Sequence, residues 1–122
     1  MSAYFKKRKE RIESMVLLKE VTIRFVGELS KSYGVTPPKI ILIGSWYYPY
    51  YSSEEKRITL GHIYPLPLLL HEFRHHMTYE KNIRKEDEYE RELDAIRWST
   101  NEAPKWLEKW LVEVYPYIYK LR

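Results

Sequence analysis

Apolar residues recur at a helical period through residues 4–33. Ile12, Met15, Val16, Ile23, Val26 and Leu29 alternate with charged positions, the pattern of one long helix that rests one face on a sheet. Gly34 is placed to end that helix, and Pro37-Pro38 prevents its return. Residues 39–43, Lys-Ile-Ile-Leu-Ile, read as a buried strand. Residues 46–51, Trp-Tyr-Tyr-Pro-Tyr-Tyr, are β-prone, but Pro49 confines them to an edge or an irregular strand. A polar turn leads to a third short strand, Arg57-Ile58-Thr59-Leu60, closed by Gly61. The helical period returns at 66–79, where Pro65 and Pro67 bracket the start. Leu66, Leu70, Phe73 and Met77 form one stripe, while Leu68, His71, His75 and Tyr79 point to nearly the opposite side. A helix with apolar groups on both sides belongs at the centre of a molecule. Two further helices are predicted. One covers 86–99, with Tyr89, Leu93 and Ile96 facing the core. The other covers 102–114, with Pro104 in its first turn and Trp106, Leu107, Trp110, Leu111 and Val114 as its stripe. The aromatic, alternating tail 115–122 reads as a strand-forming peptide. The expected fold is α+β: a small three-stranded sheet packed on a long N-terminal helix, two central helices, a further C-terminal helix and the tail. No repeat or linker divides residues 1–122, which are expected to form a single domain.

Composition narrows the chemistry. With 44% hydrophobic and 16% aromatic residues in 122 positions, the chain can build a modest core and is not expected to be disordered. It has no cysteine, so any metal must be held by histidine and carboxylate. Glutamine is absent, asparagine occurs only at Asn82 and Asn101, and 31% of residues are charged, biases that fit an intracellular protein of a thermophile. The net charge of +4 and pI near 9.2 are mildly basic. The run Lys6-Lys7-Arg8-Lys9, followed by Arg11, reads as a solvated helix start, so nucleic acid is not the expected partner. No apolar run reaches transmembrane length, and the N-terminus lacks the apolar segment and cleavage site of a signal peptide. A soluble cytoplasmic protein is expected.

Residues 71–75 read His-Glu-Phe-Arg-His. On a helix, positions i and i+4 lie about 40° apart in projection and about one turn apart in height. The imidazoles of His71 and His75 can therefore converge on one ion, with Glu72 beside them and free to touch water activated by the metal. In a chain of this composition the motif arises by chance in roughly 1–2% of shuffled sequences, so a second pattern is needed. A catalytic zinc site takes three protein ligands and one open position. The pattern HExxHxxGxxH fails, because Lys81 stands where its third histidine would be. Residues 90–94, Glu-Arg-Glu-Leu-Asp, instead offer Glu-x-x-x-Asp. Glu90 can supply the third ligand, and Asp94, one turn on, can orient a ligating imidazole through its other nitrogen. Glu92, which projects about 160° from Asp94, is the rival ligand.

These motifs resemble those of the gluzincins, zinc metallopeptidases that combine HExxH with a downstream glutamate. The phrase Tyr-Glu-Arg-Glu-Leu-Asp-Ala at 89–95 is similar to their third-ligand helix, and the small size is most similar to the soluble minigluzincins of the proabylysin type. The resemblance implies zinc held by His71, His75 and Glu90, Glu72 as general base, Asp94 behind the ligands, and a peptide or protein as substrate. The expected activity is hydrolysis of peptide bonds through a metal-activated water, with strand 57–60 as the cleft rim. Two departures stand out. Only 14 residues separate His75 from Glu90, and only 28 follow Asp94. That leaves no C-terminal subdomain to supply an oxyanion-stabilising residue, for which Tyr79, His62 and a tyrosine in 47–51 are the candidates. The resemblance also implies latency as a zymogen, with tail 115–122 entering the cleft of its own or a neighbouring molecule. The alternative expectation is a catalytically idle zinc-binding regulator or scaffold.

Overall fold

The computed structural model describes residues 2–44, 48–83 and 87–122. It is an α+β fold with helix α1 (Ala3–Tyr33), strands β1 (Lys39–Ile43), β2 (Tyr50–Ser52) and β3 (Arg57–Gly61), and helices α2 (Leu66–Glu80), α3 (Glu88–Glu113) and α4 (Tyr115–Tyr119). The strand order is β1-β3-β2. β1 pairs parallel to β3, with Ile40 opposite Ile58, and β2 pairs antiparallel to it, with Tyr51 opposite Ile58. β3 is therefore the central strand, with both of its edges paired. The rim beside the cleft is formed by β2 and not, as expected, by residues 57–60. Residues 46 and 47 of the predicted strand at 46–51 lie outside the described residues.

α1 begins on the Ser2 side chain, which accepts from the Phe5 N–H, and ends at Gly34, whose left-handed φ of 68° suits a residue without Cβ. Its buried stripe runs through Leu18, Val21, Phe25, Val26 and Leu29. Ile12, Val16 and Ile23, three members of the predicted stripe, are instead half-exposed. The predicted stripe of α2 holds: Leu66, Leu70, Phe73 and Met77 are all buried, and they meet Ile58 and Leu60 of the sheet and the α1 stripe in one core.

α3 departs most from expectation. Residues 88–113 form one continuous helix with Pro104 inside it, where two helices were predicted. Pro104 removes the donor that the Thr100 carbonyl would otherwise receive, but both residues are exposed, so water can take that carbonyl. The helix starts at Asp87, whose side chain accepts from the Glu90 N–H at 2.8 Å. The tail is not a strand. Val114, Ile118 and Leu121 are buried in the core, and the Arg11 guanidinium donates to the Leu121 carbonyl at 3.1 Å. None of residues 115–122 lines the cleft, so the expected occlusion of a chain's own site by its tail is overturned. The tail is drawn inward by its apolar side chains. No helix among the described residues is long and apolar enough to cross a membrane.

Candidate metal centre

α2 carries two rows of side chains. Its buried row anchors it in the core, which fixes the opposite row at the floor of an open cleft of about 1380 Å³. His71, Glu72 and His75 lie on that floor, and their ligand atoms fall within 4.8 Å of one another, a group that could hold a metal ion. The wall opposite is α3. There Glu92, not Glu90, reaches the histidines: Oε2 lies 2.9 Å from His71 Nε2, and Oε1 lies 2.9 Å from His75 Nε2. The two Nε2 atoms are 3.2 Å apart. Glu90 is exposed and is not among the residues lining the cleft.

The physical reason lies in the phase of α3. Its buried side is Ala95, Ser99 and Trp110. On a helical projection Glu92 falls next to that side, and Glu90 falls about 160° from Glu92. Tyr89 and Ile96, the expected core positions, are exposed, so the buried side of α3 lies about a quarter-turn from the expected stripe. Glu90 is the third helical residue after Asp87, and Asp-x-x-Glu is a capping-box pattern. That signal was available in the sequence, and the structure shows its Asp87 half, the bond from the Glu90 N–H. Asp94 likewise has a different partner from the one expected. It accepts from Arg74 of α2 through Nε at 2.8 Å and Nη2 at 3.3 Å.

The donor spacing fits a metal ion. A tetrahedral zinc ion with ligands at 2.0–2.1 Å spaces neighbouring donor atoms about 3.3 Å apart. The observed separations of 2.9 and 3.2 Å are within a few tenths of an ångström of that spacing. Burial lowers the pKa of His75 against the opposing pull of Glu92, which favours the neutral imidazole that ligation requires. Glu72 is buried, and its Oε2 is shielded with no hydrogen-bond partner among the described residues. Desolvation, with the charge of Glu92 as a smaller contribution, pushes its carboxyl up to about 7. That is the range in which a general base can both take and return a proton.

Behind the floor, His76 is fully buried and plays no part in the donor set. Its Nε2 lies 2.6 Å from the Thr36 carbonyl, which can only accept, so Nε2 carries the hydrogen. Burial lowers the His76 pKa and keeps the ring neutral. Its Nδ1 therefore accepts from the Tyr51 hydroxyl at 2.8 Å. Of the expected oxyanion candidates, Tyr48, Tyr50, Tyr51 and Tyr79 line the cleft, Tyr51 directing its proton to His76, and His62 does not line it. Tyr47 lies outside the described residues. Arg91, overlooked in the sequence, also lines the cleft. Its position beside Glu92 was the signal that could have found it. No family model, curated protein or solved structure matches the chain.

Proposed function

We propose that the protein is a zinc metallopeptidase of the gluzincin type, with His71, His75 and Glu92 as ligands and Glu72 as general base. The observation that carries this reading is the closure of two imidazoles and a carboxylate on one point beside a buried glutamate whose Oε2 has no partner among the described residues. An ion held there supplies Lewis acidity towards a carbonyl and lowers the pKa of water. The chain's own residues do the rest. Glu72, its carboxyl pushed up to about 7, takes the proton of the attacking water and passes it to the leaving amine. β2, the outer strand on that side of the sheet, offers an edge against which an extended peptide can pair. Tyr48, Tyr50, Tyr79 and Arg91 are among the lining donors available to charge developing on the carbonyl oxygen. Cytoplasmic peptides or proteins are the substrate class.

Two expected outcomes test the reading. Equilibrium zinc titration should give one ion per chain, lost in His71→Ala and His75→Ala, weakened about tenfold or more in Glu92→Gln and unchanged in Glu90→Gln. Glu72→Gln should keep the zinc and lose about 100-fold or more of peptide hydrolysis. One observation favours a second reading, a zinc-binding regulator without activity: the Tyr51 hydroxyl is committed to His76 rather than to the cleft. Stoichiometric zinc with no cleavage of an unfolded protein substrate would select that reading.

A further inference from the structure

α2 grips α3 from two sides. On one side His71 and His75 meet Glu92. On the other, Arg74 reaches across Trp98, its guanidinium 5.6 Å from the ring centroid, to a two-point contact with Asp94. Glu92 and Asp94 project about 160° apart around α3, so rotating α3 to withdraw Glu92 must break the guanidinium–carboxylate fork. Sliding is equally constrained. α3 presents a second acid to the cleft, Glu88, one turn before Glu92, and a slip of about 6 Å along the axis would exchange the two. A bidentate arginine–carboxylate pair fixes both distance and angle, which a lysine cannot do. The side chains of Arg74 and Asp94 are only 16% and 20% exposed, so solvent screens their contact weakly.

We infer that the Arg74–Asp94 pair is a positioning device that sets the rotation and register of α3 and so selects Glu92, rather than Glu88, as the carboxylate facing the histidine pair. This rests on the metal-centre reading above. Arg74 touches neither metal nor substrate; it acts through Glu92.

The test measures zinc affinity by chelator competition on the full chain, with circular dichroism as the check on folding. Arg74→Lys and Asp94→Asn should remain helical and lose zinc affinity by about tenfold or more. In a Glu92→Gln background, Arg74→Lys should cause no further loss. Glu88→Gln should leave the wild-type affinity unchanged but lower that of Arg74→Lys, because only the unpinned helix can offer Glu88. A folded Arg74→Lys or Asp94→Asn variant with wild-type zinc affinity, or an undiminished Arg74→Lys effect in the Glu92→Gln background, overturns the positioning role alone. Wild-type protein that takes up no zinc, or takes it up equally well without the histidines, overturns the metal-centre reading and this inference with it.

Discussion

Glu72 carries a stability cost at the position proposed for the chemistry. Its carboxyl is raised from an ordinary 4.5 to about 7, first by burial and then by Glu92. The folded metal-free protein therefore holds that proton more tightly than the unfolded chain does. The sign of the linkage follows: the contribution is intact below about pH 4.5, fades as pH rises, and is fully lost above about pH 7. Glu72→Gln, which cannot ionise, should be more stable than the wild type above pH 7, by on the order of 3 kcal/mol. The gap should close towards pH 4.5. Denaturant unfolding of the two metal-free proteins across that range checks it, and a constant gap would contradict the assignment. At this scale the sequence was informative wherever spacing alone decides. His71, Glu72 and His75 needed only a helix to come together. Choosing between Glu90 and Glu92 needed the rotational phase of a second helix, which exposed Tyr89 and Ile96 disguised as a core stripe.

Among the elements, phase and continuity were the hard quantities, while existence and type were legible. The bounds of α1, β1 and α2 match the periodic stretches because Gly34, the proline pair and Pro65 mark them locally. The stripe of α1 was misplaced because apolar residues occur on more than one side of it, and only contact with the sheet and α4 decides which side is buried. α3 was divided at Asn101-Glu-Ala-Pro104 because proline usually opens a helix; here it sits on the solvent side of one that continues. Pro104→Ala should restore the missing donor to Thr100 and raise the unfolding free energy by about 1 kcal/mol or more, after allowance for the looser unfolded chain. Thermal unfolding measures it, and a lowered midpoint would show that the proline shapes α3 productively.

Across the whole molecule, the C-terminal segment is a structural part and does not enter its own chain's cleft. Ile118 and Leu121 close the core beneath α1, so Ile118→Ala should cost about 2–5 kcal/mol. Deleting residues 115–122 should unfold the protein rather than activate it, which calorimetry and a peptidase assay on the truncated chain would separate. An aromatic tail reads alike as strand or as core-seeking helix until the cavity it fills exists, and for that reason its destination was not legible in the sequence. The two kinds of long-range contact also differ in what the chain must do to form them. His71 and Glu92 are 21 positions apart, whereas Arg11 and Leu121 are 110 apart. Loop-closure entropy rises with the length of chain enclosed. The α2–α3 hairpin with its donor triad is thus among the long-range contacts the chain can close early, with the β1–β3 pairing, 18 positions apart, and α1 and α4 can dock afterwards. An ion bound at that stage would act as a cross-link, so the residues proposed to perform the chemistry would also bear on the order in which the molecule comes together.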